Sequence, residues 1–188
     1  MKIFVLLSAL FIFASPSFAA PTPYTIQKNQ SKVGFSWFLG KDEVKGSMPI
    51  ADARIVLDLE QLQNSRVTVM VDVARAKAGF PFASQGMKSK TVLWAKKHRY
   101  ITFEGKRFRR NGNTALVDGT LTVRGVTRPA TFTAKLFRTS RTGSGDQGEL
   151  AVRLNGSLSR AAFGADGFSD MAGDQVKLSI VALLRATR

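Results

Sequence analysis

The feature that most restricts how this chain can fold is an alternation of apolar and polar residues that returns along most of its length. Val33, Phe35 and Trp37 are separated by Gly34 and Ser36, and Val67, Val69, Val71 and Val73 by Thr68, Met70 and Asp72. Ile101 and Phe103 flank Thr102. Ala130, Phe132, Ala134 and Leu136 are interrupted by Thr131, Thr133 and Lys135. Val152, Leu154, Gly156 and Leu158 alternate with Arg153, Asn155 and Ser157, and Val176, Leu178, Ile180 and Ala182 close the series. A period of two belongs to strands with one dry face and one wet face. The wet face is assigned Asp72, Glu104, Lys135, Arg153 and Lys177.

Turn signals cut these runs at short intervals. Asn111-Gly112-Asn113 predicts a hairpin, Asp118-Gly119 and Arg124-Gly125 predict bends, and Thr139–Gly148 reads as a longer polar loop. About eight strands at this spacing point to an all-β closed antiparallel barrel or a sandwich. An outer-membrane barrel would need apolar residues on its lipid-facing side, where this chain carries charges. The apolar set therefore faces inward, in a soluble barrel. Ser84–Trp94 departs from alternation, with Met87, Lys90 or Thr91, and Trp94 at helical spacing, and predicts one short α-helix capping an end.

The first residues carry a separate signal. Met1-Lys2 is basic, Ile3–Ala14 is almost wholly apolar, and Ser15-Pro16-Ser17-Phe18-Ala19 supplies a breaker and small residues, the layout of a secretory signal peptide cleaved after Ala19. The apolar run is shorter than the ~20 residues of a membrane span. Residues 1–19 are thus expected to be removed, leaving 20–188 as one periplasmic domain. With no cysteine, that domain has no disulfide and no acylated N-terminal cysteine, and relies on its core.

Charge is the unusual bulk property: 28 Lys and Arg against 13 Asp and Glu, a net of +15. Nine of the cations lie between Lys88 and Arg110, where Glu104 is the single acid. Such a surface attracts anionic lipid head groups or an acidic partner. Export argues against nucleic acid as the partner.

Candidate chemistry is sparse. His98, the only histidine, stands in Lys96-Lys97-His98-Arg99 with no carboxylate to orient it, and reads as an exposed loop residue. One histidine and no cysteine leave zinc and copper almost no ligands, so no metal and no cofactor are expected. Asp166, Asp170 and Asp174 among glycines lack the ligand alternation of an EF-hand and read as a solvated loop. No acid, base or nucleophile stands out, and the expectation is a protein that is not an enzyme.

Longer motifs add a resemblance. Gly119 with Leu121-Thr122-Val123-Arg124-Gly125-Val126-Thr127-Arg128-Pro129 is similar to the G-x-L-T-i-r-G-v-T-k-P stretch of YceI-like domains. Tyr24-Thr25-Ile26, Ser31-Lys32-Val33-Gly34-Phe35, Gly46, Arg54–Asp58, Met87–Leu93, Ile101-Thr102-Phe103 and Ser159-Arg160-Ala161-Ala162-Phe163-Gly164 resemble other family elements in the same order, over about 24–186. The chain departs from common members at Ala83-Ser84, where they have Arg-Asp, at His98-Arg99, where they have Tyr-Pro, and near Phe38-Leu39, where they often carry His.

The resemblance implies a lipocalin-like eight-stranded barrel with a short helix. It also implies binding of a polyisoprenoid or isoprenoid quinone in an apolar interior. Phe35, Trp37, Val69, Val71, Phe103, Leu121, Phe132 and Leu154 fall on the faces read as inner, and Phe80, Phe82, Met87 and Trp94 lie on or beside the helix where they could line a mouth. Arg124, Arg128 and Arg160 lie in the family-like elements and are the candidates for a ligand head group. The alternative from a different class is a packed barrel acting through its basic surface on anionic membrane or an acidic redox partner. Periodicity leaves homodimerisation open.

Overall fold

The structure, a computed structural model, describes residues 20–138 and 148–187. The signal-peptide reading of 1–19 and most of the polar loop expected at 139–148 lie outside those residues.

Eleven strand segments form one continuous antiparallel sheet. They are β1 (Thr22–Ile26), β2 (Lys32–Leu39), β3 (Asp42–Met48), β4 (Ile50–Leu57), β5 (Arg66–Asp72), β6 (Lys77–Ala78), β7 (Tyr100–Asn111), β8 (Thr114–Val123), β9 (Val126–Arg138), β10 (Glu149–Ser159) and β11 (Gln175–Ala186). The eleven reduce to eight staves. β1 and β2 lie end to end along one edge of β11; β4 pairs with β1 and β3 with β2; β5 pairs with β4 and β6 with β3. The other five strands each make one stave. The ring closes where β1 meets β11, with Tyr24 opposite Ala186 and Ile26 opposite Leu184. The result is an eight-stranded closed antiparallel barrel with, among the described residues, a single α-helix, α1 (Pro81–Lys88).

Alternation forms the strands, and the punctuation works as chemistry requires. Gly112 takes φ 58° in the two-residue turn between β7 and β8. Arg124 and Gly125 both take positive φ, 53° and 78°, in the turn between β8 and β9, the pair of left-handed residues that matches strand twist in a tight hairpin. Asp118-Gly119, expected as a bend, instead lies inside β8 opposite the bulged part of β7. There a Cβ on Gly119 would collide with the Glu104 carbonyl.

Two bulges shift which parity faces inward. On β7, Ile101, Phe103 and Gly105 face inward before the register shift at Gly105–Arg107, and Phe108 and Arg110 after it. On β4 the shift between Ile50 and Asp52 passes the inward role from Ile50 to Ile55 and Leu57.

The helix differs from the expected Ser84–Trp94. It begins at Pro81, whose ring presets the first helical φ, and Ser84 pins it to β6 by accepting from the Ala78 amide at 2.9 Å. It ends at Lys88 because the next segment folds back on the free carbonyls. Leu93 N–H donates to Met87 O, Ala95 N–H to Lys88 O and Trp94 N–H to Ser89 O. Trp94 is therefore not helical; its φ is 46°.

Asp72, expected on the wet face, is buried at 1% exposure. Its carboxylate caps the turn that follows β5, accepting from Ala74 N–H at 3.0 Å, Arg75 Nε at 3.0 Å and Arg99 Nη2 at 3.1 Å.

Where β3 passes Phe35, only glycine fits: a Cβ on Gly46 would enter the Phe35 ring and lie 2.7 Å from the Lys77 carbonyl oxygen. Gly46→Ala is expected to lower stability by about 1–3 kcal/mol, read as a lower urea midpoint at unchanged slope. An unchanged midpoint would mean that ring and backbone move aside freely.

Candidate functional site: an apolar cavity along the barrel

The inward side chains do not fill the barrel. They leave a cavity of about 560 Å³, within the range of ligand pockets. Trp37, Val69, Val152, Leu154, Leu178 and Ile180 face inward yet are only half-buried, because the surface they keep belongs to the cavity. Packing is tight instead at the seam, where Tyr24, Ile26, Leu150 and Leu184 are buried.

Eleven of the twelve apolar residues singled out from sequence line this cavity: Phe35, Trp37, Val69, Val71, Phe80, Phe82, Met87, Phe103, Leu121, Phe132 and Leu154. Phe35 and Trp37 stack at 5.8 Å, and Phe103 meets Phe132 edge to face at 4.8 Å. Trp94 is the exception. It stands outside the wall, in the turn after α1, with Lys97 Nζ 4.5 Å and Lys90 Nζ 5.4 Å from its ring and Arg124 beyond. His98, expected exposed, is half-buried edge-on to the same indole and packed against Gly125.

The three head-group candidates have other partners. Arg124 Nη1 donates to Val92 O at 2.8 Å and ties the β8–β9 turn to the segment after α1. Arg128 Nε donates to Ala162 O. Neither is among the residues of the cavity wall. Arg160 does reach the wall, but it is buried and its guanidinium donates to four carbonyls, those of Gly173, Ala165, Gly167 and Ala172. It holds the 161–174 segment in place across the helix end of the barrel. Asp174, considered above with Asp166 and Asp170, accepts from the Ala161 amide at 2.8 Å in the same clasp.

Sequence reasoning missed Arg110. It follows Phe108 on the inward parity of β7 and, with Asn113 and Thr114, lines the cavity at the β7–β8 hairpin end. The bulge at Gly105–Arg107 hides it, since alternation counted from Ile101 places Arg110 outside. Among the described residues on the wall, Arg110 and Arg160 are the only charged ones, at opposite ends, and none is Asp, Glu, His, Ser, Tyr or Lys. Such a surface is matched in chemistry to an extended apolar chain.

Ionised carboxylates are concentrated outside the cavity and serve the fold. Burial alone would raise the Asp72 pKa, but hydrogen bonds and charge from Arg99 and Arg75 outweigh it and hold the carboxyl below its usual 3.8. The Thr131 hydroxyl and Arg109 lower Asp118, and Ser159 with the Ala161 amide lowers Asp174. A depressed native pKa stabilises the fold fully above about 3.8 and loses that effect as pH falls through the lowered value. The unfolding midpoint is therefore expected to be flat from neutral pH to about 4 and to fall below it, with a shallower fall in Asp72→Asn. An acid limb identical in that variant would remove Asp72 from the account.

Comparison with known proteins agrees with the architecture. Residues 24–183 match the YceI-like domain. A protein of Serratia proteamaculans designated UPF0312 is 27% identical over 105 residues, 56% of this chain and 52% of its own length. A UPF0312 protein of Pseudomonas aeruginosa is 28% identical over 106 residues, with the same shares. The chain thus spans about half the length of these curated relatives. Among solved structures, Burkholderia cenocepacia BcnA superposes with a TM-score of 0.75 at 17% identity, covering 85% of this chain and 99% of that one. A polyisoprenoid binding domain from Saccharophagus degradans implicated in plant cell wall breakdown gives 0.63 at 12%, covering 87% and 98%. The YceI protein of Campylobacter jejuni gives 0.59 at 16%, covering 100% and 99%. At these identities the structures show a shared fold, and the match of the domain over most of its length shows that this chain belongs to the YceI-like family.

Proposed function

We propose that this protein is an exported, periplasmic carrier that holds an isoprenoid chain, free or attached to a quinone ring, inside the barrel. One observation carries the reading: a continuous apolar wall encloses about 560 Å³ in a domain whose inward side chains fail to fill it. Leaving such surface without a packing partner is costly, and a flexible hydrocarbon supplies that partner. The driving force is apolar area removed from water, at about 25 cal/mol per Å², so tight binding needs no dedicated head-group contact. The polyisoprenoid binding described for the Saccharophagus degradans domain points to the same class of ligand. The apolar stretch at residues 3–14 supports the export. The reading is one of binding rather than catalysis, in keeping with the binding described for that domain.

Trp37 on the wall and Trp94 outside it give an internal reporter. Titration with an isoprenoid quinone is expected to quench tryptophan fluorescence saturably, and Trp37→Phe is expected to remove most of that quenching. Ala134→Phe, which fills part of the cavity, is expected to weaken binding by about tenfold, and the quinone ring without its tail is expected to bind far more weakly. Equal quenching in Trp37→Phe, or equal affinity for the tail-less ring, would contradict occupancy of the barrel.

A further inference from the structure

The helix end of the barrel carries an apolar patch that neither the closed ring nor the core explains. Phe82 is 71% exposed and Met171 56%; Phe38, Phe80 and Phe168 are exposed as well. These residues come from three separate segments that meet. The Phe168 ring lies over Gly86 of α1, Met171 O accepts from Gly40 N–H at the β2–β3 turn, and Phe38 O accepts from Gly173 N–H. Phe80, Phe82, Phe168 and Met171 also belong to the cavity wall, so the patch is the rim of the cavity. Phe168 sits there with φ 60°, a conformation that a bulky side chain adopts only where its surroundings impose it. The clasp made by Arg160 imposes it here, since Arg160 holds the carbonyls of Gly167 and Ala172 on either side.

Cations flank this rim. Lys177 Nζ lies 5.6 Å from the Phe38 ring. Lys41 is in the β2–β3 turn beside Gly40, Lys88 ends α1, and Lys90 precedes Thr91, whose carbonyl accepts from Gly167 N–H. The acids of this end are Asp42 and Glu43 on β3, and Asp166, Asp170 and Asp174 on the clasped segment; α1 and the turn after it contribute none. Glu43 is engaged by Ser36 and Lys45, and Asp174 by Ala161.

We infer that this rim is a docking surface for a bilayer carrying anionic head groups, with Phe82, Phe168 and Met171 entering the acyl boundary and Lys88 and Lys90 lying among the head groups. Aromatic and long apolar side chains with lysines beside them are what an interfacial membrane contact requires: buried apolar area supplies the attraction, and the cations add to it in proportion to anionic lipid. Contiguous exposed apolar residues on a single domain mark a contact surface, and the α1 side of the rim, where Lys88 and Lys90 stand on a stretch without acids, complements an anionic bilayer. The inference rests on the carrier reading, because docking would set the cavity opening directly on the layer that holds an apolar chain. It is tested independently of that reading.

Flotation of the purified protein with vesicles of phosphatidylglycerol and phosphatidylcholine, against vesicles of phosphatidylcholine alone, is the experiment. Binding is expected only to the anionic vesicles, and is expected to fall by about tenfold or more in Phe82→Ser/Met171→Ser and in Lys88→Glu/Lys90→Glu. Because Lys88 and Lys90 do not line the cavity, the lysine variant is expected to keep the quinone quenching of Trp37, so vesicle docking and cavity occupancy fail or hold separately. Absence of binding to anionic vesicles at low salt would overturn the inference. So would binding that survives both double variants, which would assign it to basic charge elsewhere. A wild-type dimer that Phe82→Ser dissociates, without vesicle binding, would assign the rim to a second copy of this chain instead.

Discussion

The structure depends on closing a ring of eight staves, and the closing stave is β11. It pairs with β10 along eleven residue positions on one side and with both β1 and β2 on the other. The two N-terminal segments cannot run straight along it, because Lys28–Gln30 turns out of line between them. The ladder is carried across this gap by Gln27 N–H donating to Leu183 O and by the Ser31 hydroxyl oxygen accepting from Leu183 N–H. Without that seam the sheet would present two open edges, which invite pairing with other chains. With it, every inward side chain is committed to a closed space of fixed girth.

Girth then sets how much of the interior stays empty. Eight strands enclose a space that large side chains can fill, but this chain places Ala134, Ala182 and several valines on the inward positions among its aromatics. The interior is therefore partly hollow. Polar groups that might have interrupted it are spent at the ends. Arg160 binds four carbonyls of one segment, Asp72 gathers two arginines under the turn after β5, and Asp118 joins Arg109 to Thr131 on the outer surface. Arg160 and Asp72 organise backbone in this way and Asp118 links side chains of neighbouring strands, so that among the described residues Arg110 and Arg160 are the charged ones left on the wall.

Much of this was legible in the sequence, and the exceptions have physical causes. Period-two alternation survives wherever a stave is regular, so Phe35, Val69, Phe132 and Leu154 were placed on the wall from pattern alone. A bulge reverses the parity without leaving a mark in composition, which is why Phe108 and Arg110 were missed. Trp94 has helical spacing from Met87, yet the chain leaves the helix at Ser89 to satisfy the carbonyls of Met87 and Lys88, a competition that spacing does not express. Asp72 has the parity of a wet position but is enclosed by Arg75 and Arg99, the second of which is 27 residues away. Arg124, Arg128 and Arg160 read from the motif as candidates for a head group, and the carbonyls of Val92, Ala162 and the 165–173 stretch to which they donate belong to segments outside the element that holds each arginine.

A carrier of the kind proposed holds an apolar chain in its hollow barrel. The most direct measurement is the native mass spectrum of the protein purified from its own host, taken before and after denaturation. The account predicts an added mass that disappears when the fold is lost, with a value that fits an isoprenoid lipid or quinone. A single mass, unchanged by denaturation in repeated preparations, would contradict it.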